Sequence, residues 1–112
     1  RAERPDAADA VTLQIAPDDC ELLSDLAGVY LHEGRNGLAI QTARAALAVD
    51  AKHDPSAYTL AIALAANGET DEARFLLLEL TQGLRGQALA QRFSDLHAHA
   101  LVELQKLAAA TV

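Results

Sequence analysis

Tryptophan and methionine are absent from this chain, and two Tyr and two Phe are its only aromatic residues. A core without large rings has to be filled by Ala and Leu. Small Ala side chains let helices approach closely, and Ala is the strongest helix former. Residues that favour strands are sparse, so an all-α fold is expected. Cys20 is the only cysteine, which excludes an internal disulfide and permits a reducing compartment. Positive charge is also scarce: nine Lys and Arg face sixteen Asp and Glu, for a net charge of −7. Arg35, Arg44, Arg74, Arg85 and Arg92 are scattered rather than clustered. Phosphates repel such a chain, which argues against general nucleic-acid binding and against attraction to anionic lipid. No apolar run reaches the length of a membrane span, and the N-terminus lacks a signal-peptide core, so no membrane insertion by these residues is expected. The first residue is Arg, so the chain reads as excised or processed; abundant Ala and an excess of Arg over Lys accord with a GC-rich bacterial gene.

The 112 residues, 51% of them hydrophobic, suit one compact domain. Setting residues 20–53 above 54–87, an offset of 34, aligns Leu26 with Leu60, Ala27 with Ala61, Gly34 with Gly68 and Ala39 with Ala73. The order is informative: Leu-Ala, then a Gly, then an Ala. This spacing resembles the tetratricopeptide repeat family, in which a large residue precedes a small one, a large or aromatic residue follows, and a second small residue opens the next helix. The first repeat fills that pattern with Leu26, Ala27, Tyr30, Ala39, Ala43 and Ala46, the second with Leu60, Ala61, Leu64, Ala73, Leu77 and Leu80. Where the family commonly ends a repeat with Pro, this chain has Ala51 and Arg85.

The resemblance implies a right-handed superhelix of antiparallel helix hairpins. Residues 7–19 read as the end of a truncated preceding repeat, 20–53 as the first full repeat, 54–85 as the second, and 86–109 as a capping helix. Helices are expected over 7–16, 19–33, 37–50, 54–67, 71–82 and 86–109. Small residues let paired helices cross closely, while Gly34 and Gly68 end the first helix of each hairpin in the left-handed region. Asp54 followed by Pro55 reads as an N-cap and first helical residue, and Asn36 and Thr70 as caps of the second helices. In the last segment Leu89, Phe93, Leu96, Ala100, Leu104 and Leu107 recur in steps of three and four and form one apolar stripe. A terminal helix with one polar face is what a repeat array needs to close its core.

Chemistry-bearing residues have simpler explanations. His97 and His99 fall on different faces of a helix, and His99 with Glu103 makes only two ligands, short of a metal site. His32 and His53 lie near helix ends, where they suit the dipole; Asp18, Asp19, Glu69, Asp71 and Glu72 suit helix N-termini. Cys20 has no basic neighbour in sequence to favour its thiolate. No phosphate-binding loop, zinc spacing or nucleophile elbow occurs. No enzyme activity, cofactor or metal is therefore expected.

The resemblance also implies that the first helix of each hairpin lines a concave face. Carried over, that face includes Ser24, Leu31, His32, Tyr58 and Ile62. The family's best-known peptide binders hold a terminal carboxylate with Lys and Asn, where this chain has Ser24, Gly28, Tyr58 and Ile62. The expected groove is thus mainly apolar and suits a partner peptide or amphipathic helix, with Tyr58 as its aromatic anchor. The leading expectation is a protein–protein interaction module, an adaptor or scaffold. The alternatives are homo-oligomerisation through the face left open by the truncated hairpin, and the helical tail of a larger enzyme or sensor.

Overall fold

A computed structural model describes residues 19–110. All of its regular structure is helical: α1 (Cys20–His32), α2 (Asn36–Val49), α3 (Asp54–Ala66), α4 (Thr70–Thr81), α5 (Gly83–Arg92) and α6 (Ser94–Ala110). The expected helix over 7–16 lies outside the described residues. Each of α1 to α4 packs on its neighbour in sequence, and α1 also meets α3 directly. These are stacked hairpins, α1 with α2 and α3 with α4. The overall extents are 42 × 30 × 18 Å. A helix with its side chains is roughly 10 Å across, so the thin dimension holds two layers.

The 34-residue register is visible in the hydrogen bonds. Arg35 N–H donates to Tyr30 O at 2.9 Å, and Glu69 N–H donates to Leu64 O at 2.8 Å, closing the first helix of each hairpin in the same way. Both closures pass through a left-handed glycine, Gly34 at φ 80° and Gly68 at φ 89°. Any other L-residue is strained there. Gly68→Val is expected to cost about 1–2 kcal/mol, read as a lowered denaturation midpoint. An unchanged midpoint would remove the basis for this boundary.

The positions matched to the repeat pattern are buried. Ala27, Ala39, Ala43, Ala46, Ala61 and Ala73 are fully enclosed, as are Leu64, Leu77 and Leu80, while Tyr30 and Leu60 are nearly so. Leu26 is half-buried at the edge of the first cluster. Alanines at these crossings let backbones approach, and the leucines fill the space between.

Three local expectations are corrected. Asn36 and Thr70 do not cap: they are the first residues of α2 and α4, and the capping positions are Arg35 and Glu69, without side-chain cap hydrogen bonds. The glycine turn delivers the chain straight into the next helix, so no Asx-type cap forms. Asp54 likewise lies inside α3, behind His53, and its carboxylate turns away to Arg85. Asp19, by contrast, does cap α1, accepting from Leu22 N–H at 3.0 Å.

The largest correction concerns residues 86–109. They do not form one helix. A helix starts at Gly83, ends at Arg92, and is followed by a second from Ser94, with Phe93 at φ −138°, ψ 71° between them. The two halves of the apolar stripe have different targets. Leu89 packs with Ala57 and Leu80, whereas Ala100 packs with Ala61 and Leu77. A straight helix cannot serve both, and α5 and α6 pack against each other as well as on α4. Phe93, at the bend, is 40% exposed. Gly86 sits within α5 where a Cβ would come 2.4 Å from the backbone carbon of Thr81. Its missing side chain lets α5 fold back tightly on the end of α4.

Candidate functional site

The first helices of the two hairpins, α1 and α3, lie side by side. The five residues assigned to the groove are all on them. Ser24 is buried, Leu31, Tyr58 and Ile62 are half-buried, and His32 is exposed. Leu31 and Ala65 border the first core cluster, which Leu107 of α6 also reaches. Tyr58 packs against the cluster of Ala57, Leu80 and Leu89, as Leu96 does, and against that of Ala61, Leu77 and Ala100, as Leu104 and Leu107 do. The end of the strip that holds Tyr58 therefore lies beneath the chain's own last helix. Burial pushes the Tyr58 phenol pKa up, and the negative charge of Glu103 adds to the effect. Both favour the neutral hydroxyl. Ile62, Leu31 and His32 form the more open part.

A second cluster joins the N-terminus of α1 to the turn before α3. His53 Nδ1 is 2.7 Å from Ser56 Oγ, and His53 Nε2 is 3.6 Å from Glu21 Oε2. The order Glu, His, Ser has the outline of a nucleophile relay. The hydroxyl, however, belongs to a residue with 0% exposure, so no substrate carbonyl can reach it. The nearby Cys20 thiol donates to Ala46 O at 3.4 Å. Its pKa is raised, first by burial and further by Asp50, Glu21 and Asp19, with a Ser56 hydrogen bond opposing. The thiol stays protonated at neutral pH and is a weak nucleophile. The cluster ties α1, α2 and α3 together. Among the described residues no group of three or more His, Cys, Asp or Glu could hold a metal ion, and no helix is long and apolar enough to cross a membrane.

Two ion pairs add to the frame. Arg44 on α2 reaches both carboxylate oxygens of Glu72 on α4 at 3.1 Å. Both groups are half exposed, so the pair contributes about 0.2–1 kcal/mol. Arg85 Nε donates to Asp54 Oδ1 at 3.0 Å, and Arg85 Nη2 lies 3.0 Å from the same oxygen. Asp54 is 8% exposed, so this carboxylate depends on Arg85 for compensation. Arg85 stands where the family commonly has Pro; it anchors α5 to the start of α3 instead. Its partner is 31 residues away, and nothing local in the sequence points to it.

The description of the tetratricopeptide repeat family matches residues 30–102, from the end of α1 into α6. The chain belongs to the tetratricopeptide repeat family. No curated protein and no solved structure matches it. Tetratricopeptide repeats are in general protein–protein interaction modules.

Proposed function

We propose that this tetratricopeptide domain is an adaptor or scaffold module without catalytic activity of its own. It docks a partner peptide or helix on the strip formed by Ser24, Leu31, His32, Tyr58 and Ile62. The observation that carries this reading is the pairing of α1 with α3, which puts equivalent repeat positions, Ser24 and Tyr58, Leu31 and Ala65, on adjacent helices. Half-buried Leu31 and Ile62 offer apolar contact, and exposed His32 offers a polar edge. Such a surface suits the apolar face of an amphipathic segment.

Ile62 makes the cleaner test, since Tyr58 contributes to the core. The protein with Ile62→Glu is expected to lose its partner in pull-downs from the source organism. A central apolar contact contributes about 2 kcal/mol, roughly thirtyfold in affinity. Arg44→Ala, on the second helix of its hairpin, is expected to retain the partner. Equal recovery by both variants removes the groove; loss with Arg44→Ala alone moves docking to the convex face.

A further inference from the structure

Beyond the groove, the geometry points to a second docking surface, at the α5 end of the domain, that takes an acidic peptide segment bearing an aliphatic side chain. An open pocket of about 370 Å³ there is lined by Lys52, Asp54, Leu84, Arg85, Ala88 and Arg92. None of the five groove residues lines it. Lys52 comes from the turn between α2 and α3, and the rest from the start of α3 and from α5.

The charge pattern selects the ligand. Arg35, Arg44, Arg74, Arg85 and Lys106 each lie within ion-pair distance of a carboxylate. Lys52 and Arg92 have no carboxylate partner among the described residues, and both line this pocket. Three acids lie near them, one of them paired with a cation. Asp54 is held by Arg85, Glu21 faces His53, and Asp50 accepts the backbone N–H of Lys52. Arg92 stacks over the Phe93 ring at 5.3 Å, which orients its guanidinium. Within the lining of this pocket Lys52, Arg85 and Arg92 outnumber Asp54, its one carboxylate, and this local excess in a chain of net charge −7 is complementary to a short acidic segment.

The same pocket has an apolar side. Leu84 is 83% exposed, the most exposed large apolar side chain among the described residues, and Ala88 lies one turn further along α5. A carboxylate on Lys52 and Arg92 with a Leu-like side chain against Leu84 and Ala88 uses both halves. A membrane or a nucleic acid needs a broad positive surface, which the rest of the chain does not supply, so a peptide is the fitting occupant.

The test uses the isotopically labelled protein and an acetylated, amidated decapeptide of alternating Leu and Asp, followed by amide chemical shifts. Shifts are expected at Lys52, Leu84, Ala88 and Arg92, with Leu31, His32 and Ile62 unmoved. Affinity is expected to fall about tenfold or more in Lys52→Glu/Arg92→Glu and to weaken with added salt. Leu84→Ser, a change at an exposed side chain, is expected to weaken binding several-fold while leaving the salt response. The inference is overturned if a Leu/Lys decapeptide binds as well, if the shifts map to the groove, or if no shifts occur. Binding to phosphatidylserine vesicles without binding to the peptide would overturn it in favour of lipid. Because groove shifts and pocket shifts are separate signals, failure here is distinguishable from failure of the groove.

Discussion

Removal of residues 94–112 is expected to make the remaining chain aggregate and melt at a lower temperature. α6 covers the open side of the second hairpin: Ala100 seats against Ala61 and Leu77, and Leu104 and Leu107 flank them with Tyr58 and Leu76. Without it, at least four apolar side chains gain solvent contact. Half-uncovering each costs on the order of 1 kcal/mol, a large share of the roughly 5–15 kcal/mol that holds a domain folded. The exposed strip also favours association. Phe75 and Leu78 are not under this cover: they are 60% and 39% exposed with α6 in place. The side chains that α6 protects are Leu77 and its neighbours. Circular dichroism and light scattering read both effects; an unchanged melting temperature with no association would make α6 an appendage.

Leu77→Ala is expected to destabilise the domain by about 3 kcal/mol, within the usual range for a buried Leu. Leu78→Ala is expected to change stability by less than about 0.5 kcal/mol. The contrast tests the rotation of α4. Phe75, Leu76, Leu77 and Leu78 form an uninterrupted apolar run that has no helical phase of its own. The repeat register selects Leu77, and the structure encloses it completely while Leu78 reaches solvent. For a domain of this size about 3 kcal/mol lowers the Tm by on the order of 15 °C. A larger loss with Leu78→Ala would mean that α4 is turned by a residue and that the alignment of the two repeats is wrong.

The parts of the fold readable in the sequence are those imposed by local backbone and size constraints. Gly34 and Gly68 mark left-handed turns, and Ala27, Ala39, Ala61 and Ala73 mark close crossings. Each follows from one residue's own geometry, so a single sequence suffices to find it. The helix break at Phe93 was hidden because steps of three and four persist across it: Leu89 and Ala100 keep the stripe while facing different partners. Asn36, Asp54 and Thr70 have capping chemistry, but the turns start each helix at those very residues. Arg85–Asp54 could not be seen because it joins residues far apart in sequence. The groove is an intermediate case. The family resemblance assigns its five residues to the first helices of the hairpins, α1 and α3, but the cover over Tyr58 comes from a helix outside the repeat register.

The measurement that tests the interaction surface most directly is site-specific photo-cross-linking. A photoreactive side chain is placed at position 62 in one protein and at position 44 in another, and each is irradiated in extract from the source organism. Ile62 belongs to the strip between α1 and α3, and Arg44 to the second helix of its hairpin. The expected result is a discrete covalent adduct with a partner protein from position 62 that an excess of unlabelled domain competes away, and none from position 44. A competed adduct from position 44 with none from position 62 would contradict a partner docked in the groove.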